Sequence, residues 1–224
     1  MTIPFDGVAL HDQRDWFAEL ANLGYTDVWS SEAMGHDAFT PLAVASAWAP
    51  TLRLGTAIVP AYTRGPALLA QSVASMADAA PGRFAFGIGT SSNVIVERWN
   101  GIEFTDPYRQ VSDVVRFLRQ AMSGEKVSGT FGQSTVSGFR LGVQPEVQPP
   151  ILIAALREGM LRLAGRDGDG AIINWLSAED VSVVAPIVQD ESNRTGGGAK
   201  EVVARIFVAP TADRDLVMKM GRKL

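Results

Sequence analysis

The feature of this sequence that most constrains its fold is a buried strand that runs directly into a loop of small residues. Residues 83–88 form an apolar segment, and glycine, threonine and serine follow it in the segment 87–92. Glycines at the end of a strand let a flat or anionic ligand approach main-chain N–H groups. The order of strand, small-residue loop and helix recurs along the chain, which favours a barrel whose loops build one site.

Alternating apolar patterns predict seven strand–helix units. The predicted strands are residues 2–5, 26–30, 52–60, 83–88, 149–155, 170–174 and 202–208. The predicted helices are residues 12–23, 39–49, 66–79, 108–122, 159–165, 178–193 and 212–224. Thr40 and Pro41 are expected to cap and start the second helix, and Pro186 is expected to kink the sixth. A hairpin, residues 126–131 and 134–141, is inserted after the fourth helix.

Strands that are separated by helices imply parallel pairing. A closed barrel of this class needs eight units. Seven units leave two architectures open, a barrel that lacks its last unit or an open doubly wound sheet. No internal linker interrupts the pattern, so a single domain over residues 1–224, shortened at its C-terminus, is expected.

Composition narrows the classes of function. Hydrophobic residues make up 46% of the chain and charged residues 20%, and the net charge is −4, which does not indicate a nucleic-acid partner. Cysteine is absent and the two histidines are far apart in sequence, so no metal site is expected. The N-terminus does not resemble a signal peptide, and no apolar run reaches the roughly 18 residues of a membrane span. A cytoplasmic protein that does not enter a membrane is therefore expected.

Five segments, in order along the chain, carry a resemblance to a known family. They are residues 23–29, 52–64, 82–92, 151–157 and 163–170. Together they resemble the bacterial luciferase-like monooxygenase superfamily, and most of all its actinobacterial branch that uses the deazaflavin coenzyme F420. The resemblance implies a TIM-barrel-like (β/α)8 fold with a cofactor at the C-terminal ends of the strands. Family members usually have an eighth strand and helix after the point that corresponds to residue 224.

The resemblance implies one group of residues around the cofactor ring. The Ala57-Ile58 bond would be a non-proline cis peptide that forms a bulge under one face of the ring. The alternative is an ordinary buried pair in a strand. Gly89, Thr90 and Ser91 would contact the polar edge of the ring, although the hydroxyl groups are also typical of helix caps.

A second group of residues is implied at the cofactor phosphate. Ala155, Leu156 and Arg157 precede the fifth helix, and a helix N-terminus with a guanidinium nearby is suited to an anion. Arg157 is equally well interpreted as a solvated surface residue. Asn174 and Trp175 end the sixth strand on the phosphate side, and core packing is the alternative for Trp175.

Candidate catalytic and substrate residues follow the second and third strands. Glu32 corresponds to an acid in the sugar-phosphate dehydrogenases of the superfamily, and it is a candidate general acid or base. A helix-capping role is its alternative. His36 lies four residues later and is the candidate substitute for the histidine that those enzymes carry beside the acid. Tyr62 and Arg64 would face the same mouth of the barrel and contact substrate.

This sequence departs from those dehydrogenases at two positions. Ala33 stands where they have the histidine, and Ser92 stands where they have a glutamate. The sugar-phosphate chemistry therefore does not transfer. Hydride transfer with a deazaflavin depends on placement more than on an acid, so another F420-dependent reductase is the first hypothesis.

Two other functions remain open. The second hypothesis is an FMN-dependent monooxygenase of the same superfamily, and the third is a cofactor-free or non-catalytic barrel. The expected partner is a small-molecule substrate. The resemblance also implies a homodimer that packs its early helices, for which Trp48 and Met76 are candidates beside the alternative of core burial.

Overall fold

The described part of the chain is built around parallel strands that follow one another in nearly sequential order. The computed structural model describes residues 1–222. Its strands are β1 (Asp27–Ser30), β2 (Arg53–Thr56), β3 (Val59–Pro60), β4 (Phe84–Gly89), β5 (Val127–Phe131), β6 (Ser134–Phe139), β7 (Ile151–Ala154), β8 (Gly170–Asn174) and β9 (Glu201–Arg205). Seven of them form one parallel sheet in the order β1-β2-β4-β7-β8-β9, with β3 also paired to β4. The antiparallel pair β5–β6 is the predicted hairpin.

Helices connect the strands of the parallel sheet. They are α1 (Arg14–Asn22), α2 (Phe39–Trp48), α3 (Pro66–Ala79), α4 (Pro107–Met122), α5 (Glu158–Asp167), α6 (Ala178–Arg194) and α7 (Arg214–Gly221). A 3₁₀ turn (Leu10–Gln13) precedes α1, and a π-helical turn (Val94–Trp99), which the sequence did not predict, follows β4. In the described residues, no helix is long and apolar enough to span a membrane.

Two apolar clusters lie on the two faces of the sheet. The larger cluster fills the space between the sheet and the helices and includes Leu54, Phe86 and Leu118. The smaller one lies on the inner face, where Ala85, Leu152 and Ile172 are buried. A sheet buried on both faces explains why its strands are nearly continuous apolar runs.

The sheet curls so far that distant strands meet. Arg53 on β2 donates to both carboxylate oxygens of Glu201 on β9, at 2.6 and 2.7 Å. At the other edge, Thr2 forms a parallel bridge with Trp29 of β1. A seam lies between this N-terminal segment and β9, and it holds a cavity of about 670 Å³. The parallel strands of the described residues thus curl into an incompletely closed barrel, and the open doubly wound alternative is wrong.

Several predicted boundaries need correction at the start of the chain. The strand at 2–5 is only the bridge at Thr2, because Pro4 has no N–H and the Phe5 N–H bonds to the Gln13 side chain instead. The second helix is capped by Asp37, whose Oδ1 accepts from the N–H groups of Phe39 and Thr40. Thr40 is therefore not the cap but lies inside the helix.

Other corrections concern long predicted segments. The strand at 52–60 divides into β2 and β3, with Ala57-Ile58 between them. The strand at 202–208 begins at Glu201 and ends at Arg205, and the residues after it are exposed and irregular. The helix at 212–224 is observed as α7, and the last two predicted positions lie outside the described residues. The sixth helix runs without interruption through Pro186.

Candidate functional site

A cavity of about 350 Å³ opens at the carboxyl ends of the central strands. Parallel strands bring their carboxyl ends to one edge of a sheet, so loops that are distant in sequence meet there. Eight of the ten residues predicted to hold a cofactor line this cavity, and these are Ala57, Ile58, Thr90, Ser91, Ala155, Leu156, Arg157 and Asn174. The structure thus brings together both the ring group and the phosphate group.

The Ala57-Ile58 peptide forms one wall of the cavity, and it is cis, as the resemblance predicts. Two hydrogen bonds fix it to the end of β1 and to the segment that follows β1. The Ala57 N–H donates to the Ser30 carbonyl at 2.6 Å, and the Glu32 N–H donates to the Ile58 carbonyl at 3.1 Å. This cis peptide, Ala57-Ile58, is named the shelf, and it is held by the neighbouring loop as well as by its own strand.

Gly89 forms the floor beneath the cavity and does not line it. A Cβ at this position would lie 2.8 Å from Ala154 Cβ and 3.2 Å from the Ile58 side chain. Glycine therefore allows the shelf and β7 to pack closely over β4. Beyond it, Ser91 has a φ of 62°, a left-handed conformation that turns the loop away from the strand and exposes Thr90 to the cavity.

The N-terminus of α5 provides the polar end of the cavity. Its N-cap residue is Arg157, and no side chain within the described residues caps the helix. The N–H groups of the first turn are thus available to a ligand, and the helix dipole places partial positive charge there. Leu156 is 54% exposed and Arg157 is exposed, so the guanidinium can adjust to an incoming anion.

Asn174 supplies a buried acceptor without a partner. Its Oδ1 is inaccessible to solvent and accepts no hydrogen bond from residues 1–222. A buried polar atom without a partner costs free energy, and ligand sites are a common place for one. The next residue, Trp175, is half exposed and does not line the cavity, so its predicted alternative of core packing is wrong.

Glu32 and Arg64 form an ion pair with each other at the mouth of the barrel. Arg64 Nη1 donates to both Glu32 carboxylate oxygens, to Oε1 at 2.7 Å, and both side chains are 17% exposed. Thr63 Oγ1 also donates to Glu32 at 3.3 Å, and the guanidinium lies 5.0 Å above the Phe39 ring. Neither member lines either large cavity, so the pair braces the loop that holds the Ala57-Ile58 shelf.

His36 and Tyr62 lie away from the cavities. His36 is exposed on the loop before α2. Tyr62 is 6% exposed, packs on Phe104 and donates its hydroxyl to the Thr105 carbonyl at 2.8 Å. Burial, followed by the nearby Asp106 carboxylate, raises the pKa of Tyr62 to about 12. Its side chain anchors the loop before α4 and has little surface for a substrate.

Sequence reasoning missed Arg205. It is the last residue of β9, pairs with Asn174 in the ladder, and lines both the 350 Å³ cavity and the seam cavity. The signal was present in the alternation along the strand, because side chains two residues apart share a face. Glu201 reaches inward to Arg53 and Val203 joins the inner cluster, which places Arg205 on the same face.

The model of one protein family matches this chain. Residues 3–223 match the luciferase-like monooxygenase family. A 5,10-methylenetetrahydromethanopterin reductase of Methanolobus tindarius is 26% identical over 201 residues, which cover 89% of this chain and 61% of that protein. An F420-dependent hydroxymycolic acid dehydrogenase of Mycobacterium tuberculosis is 33% identical over 179 residues, covering 72% of this chain and 48% of that protein. The chain thus spans less than two thirds of the length of these curated relatives.

Solved structures share the fold at low sequence identity. An F420-dependent secondary alcohol dehydrogenase in complex with an F420-acetone adduct superposes with a TM-score of 0.80 at 17% identity, covering 88% of this chain and 64% of the dehydrogenase. The monooxygenase RslO1 of Streptomyces bottropensis superposes with a TM-score of 0.79 at 19% identity, covering 96% of this chain and 71% of RslO1. With the fold, the cis shelf and the family match in agreement, this chain belongs to the luciferase-like monooxygenase family.

Proposed function

We propose that this protein is an oxidoreductase that uses coenzyme F420 and transfers a hydride between the deazaflavin and a small organic substrate. The observation that carries the proposal is the 350 Å³ cavity, which combines the Ala57-Ile58 shelf, the unpartnered Asn174 oxygen and the uncapped N-terminus of α5. The relatives named above as F420-dependent support the same cofactor.

The residues of the cavity fit such a cofactor at both of its ends. The pyrimidine edge of a deazaflavin carries an N–H donor between two carbonyl acceptors. Asn174, which the resemblance implied on the phosphate side, lines the cavity with an amide that has both a donor and an acceptor, and a turn of that amide would present its now buried oxygen to the ring edge. The phosphate is an anion, and the free N–H groups of α5 together with Arg157 supply the positive potential that it needs. FMN carries the same two features, so it is the competitor in the test.

The chain's own residues would act by binding and orientation. The shelf at Ala57-Ile58 would support one face of the ring, with Glu32 and Arg64 holding the loop behind it. When bound, the coenzyme supplies a hydride, and a carbonyl or imine substrate gains that hydride together with a proton from water while the coenzyme becomes oxidised. Placement of the two reactants accounts for most of the expected acceleration.

The test is a titration of the purified protein with coenzyme F420 and, separately, with FMN, followed by fluorescence. Preferential binding of F420 supports the proposal. Preferential binding of FMN would move the assignment to a monooxygenase, and binding of neither by a folded protein would favour a non-catalytic barrel. Circular dichroism establishes that the protein is folded in each case.

Asn174 provides a sharper version of this test. Asn174→Leu removes the buried acceptor, so F420 affinity is expected to fall about tenfold, as for one lost hydrogen bond to a buried group. The unliganded protein should be no less stable, because an unpaired polar atom has been removed. Asn22→Leu, on the exposed end of α1, is the matched control and should leave affinity unchanged.

The homodimer remains a prediction. Met76 is 4% exposed and belongs to the core, and the Trp48 ring packs edge-on against Phe17 with centroids 5.7 Å apart. Met76 therefore fits the alternative of core burial, and Trp48 is partly buried against the same core. Light scattering across a concentration series tests the oligomeric state directly.

A further inference from the structure

The buried amide of Gln110 joins three elements beside the cofactor cavity. Gln110 lies on α4 and is 5% exposed. Its Nε2 donates to the carbonyl of Ala61, directly after β3, at 2.9 Å, and its Oε1 accepts from the Gln133 N–H in the turn of the β5–β6 hairpin, also at 2.9 Å. A displacement of either partner would leave a buried polar group unpaired, so the amide fixes their relative position.

The turn of the hairpin is pressed closely against Gln110. Gly132 has a φ of 58°, and a Cβ there would lie 1.8 Å from Gln110 Oε1. Its N–H donates to Asp113 Oδ2 at 3.0 Å, and the Asp113 carboxylate is held by Arg116 at 2.8 Å. Glycine permits both the left-handed turn and this close approach, so the turn is fixed to α4.

A second set of contacts joins the same turn to the residue after Ala61. Gln133 Nε2 donates to the Glu103 carbonyl at 2.7 Å and to Thr105 Oγ1 at 2.9 Å. The Thr105 carbonyl in turn accepts from the Tyr62 hydroxyl at 2.8 Å. The hairpin turn therefore holds the beginning of the segment after β3 from two directions.

The segment after β3 is itself bonded to two walls of the cofactor cavity. The Ala61 N–H donates to the carbonyl of Gly89, in the floor, at 2.9 Å. Arg64 binds the carboxylate of Glu32, whose own N–H donates to the Ile58 carbonyl in the shelf. A movement of the hairpin turn would therefore be transmitted to the floor and to the shelf.

We infer that Gln110 is a positioning residue for the cofactor, and that with the hairpin turn it sets the position of the shelf and the floor through the segment after β3. The inference rests on the proposed function and deepens it by giving the inserted hairpin a role in that site. Gln110 lies outside the lining of the cavity, so it acts through its hydrogen-bond partners. A contiguous set of contacts of this kind changes ligand affinity by about fivefold when it is broken.

The first test is Gln110→Met. Methionine has a similar length but no amide, so F420 affinity in a fluorescence titration should fall about fivefold. Gln13→Met is the matched control, because Gln13 is fully buried and its amide bonds to the backbone of Phe5 and Val8, which do not line the cofactor cavity. It should lower stability and leave F420 affinity unchanged. Equal losses of affinity in the two variants, or no loss in either, would overturn the inference.

The second test compares two glycines of the same hairpin. Gly132 and Gly138 have φ values of 58° and 70°, so alanine strains the backbone at both positions. A Cβ at Gly138 meets only the Lys126 side chain, 3.1 Å from its Cε, whereas a Cβ at Gly132 displaces Gln110. Gly132→Ala alone should weaken F420, and an equal effect of Gly138→Ala would refute the role of Gln110. Thermal melts verify folding, and if Gly132→Ala does not fold, Gln110→Met decides.

Hydrogen exchange in the unliganded protein separates this inference from the proposed function. In Gln110→Met, the amides of Ala61 and Glu32 should exchange about fivefold faster relative to the Leu54 amide, which bonds near the amino end of β2. An unchanged ratio would overturn the inference even where wild type binds F420. A raised ratio in a protein that binds no F420 would support the link from hairpin to shelf while the proposed function fails.

Discussion

The centre and the seam of the curled sheet differ in almost every physical respect. All six residues of β4 are buried, and the strand pairs with β2, β3 and β7. β9 pairs only with β8 among the described strands, and the residues after it, Ile206, Phe207 and Val208, are 65%, 52% and 65% exposed. Helix α7, which follows, buries none of its residues.

This difference separates two parts of the molecule by how strongly the fold depends on them. The shelf, Gly89 and the loop after β4 belong to the buried centre, where backbone positions are fixed on both sides. Arg205 stands on the exposed seam, where fewer contacts hold the backbone. Changes at the centre should therefore destabilise the protein far more than changes at the seam.

The largest effect is expected at Gly87 in β4. A Cβ there would lie 1.9 Å from the Thr56 carbonyl oxygen and 2.5 Å from Ile172, and the backbone oxygen cannot move without separating β2 from β4. Gly87→Ala should lower the free energy of unfolding by about 3 kcal/mol or more. Chemical denaturation measures it.

Gly35 is the matched control for that substitution. A Cβ at Gly35 has nothing within 4 Å and its φ is not in the left-handed range, so Gly35→Ala should leave the free energy of unfolding nearly unchanged. If the two alanine variants were equally stable, the centre would not be the rigid part of the sheet.

The second largest effect is expected at Glu191 in α6, whose ionisation should make the stability of the protein depend on pH in the acid range. Glu191 is 3% exposed and binds Arg194 at 2.6 Å and Arg162 at 3.2 Å. The hydrogen bonds from Arg194, ahead of those from Arg162, lower the pKa of Glu191 to about 2 from an ordinary value of 4.5. Its stabilising contribution is complete above pH 4.5 and is lost as the pH falls towards 2.

Melting temperatures measured from pH 6 to pH 2 check this contribution. Wild type should lose stability between pH 4.5 and pH 2 more steeply than Glu191→Gln, which has no carboxylate to titrate. Glu125→Gln, at an exposed position, should follow the wild-type curve. Parallel curves for wild type and Glu191→Gln would show that the ion pairs of Glu191 with Arg194 and Arg162 do not control stability in acid.

The sequence predicted the centre of the molecule better than the seam, for a physical reason. Helix α3 and strand β8 have the predicted boundaries, because their apolar patterns have strong start and stop signals and each packs against the core, with seven of 14 residues buried in α3 and four of five in β8. The strand predicted at 202–208 continued beyond Arg205, because the apolar run 206–208 reads as a strand although no described neighbour pairs with it.

The same contrast holds within the site. The cofactor residues were found by resemblance, and most of them meet in one cavity. The pairing of Glu32 with Arg64 was not foreseen, since an ion pair between two loops depends on their relative position in space and leaves no pattern in sequence. Arg205 was detectable from strand alternation, but only with the correct end of β9.

A third, smaller effect is expected at the ion pair between Arg53 and Glu201, which joins the two regions. Arg53 on β2 and Glu201 on β9 are 31% and 38% exposed and form two hydrogen bonds. Glu201→Gln should lower the free energy of unfolding by about 1 kcal/mol, because partly exposed pairs are screened by water. Hydrogen exchange should quicken in β9 and remain slow in β4. Equal changes in both strands would show that the seam and the centre open together.

The smallest effect is expected at Phe207, and it tests whether the side chains at the seam are exposed to solvent in solution. Its ring is 52% exposed, whereas Phe86 in β4 is fully buried. Phe207→Ser should change the free energy of unfolding by no more than about 0.5 kcal/mol, as is usual for surface positions. Denaturation at two protein concentrations provides the measurement. A loss well above that value would mean that the ring is covered in solution, and a loss that grows with protein concentration would identify the cover as a second copy of the chain.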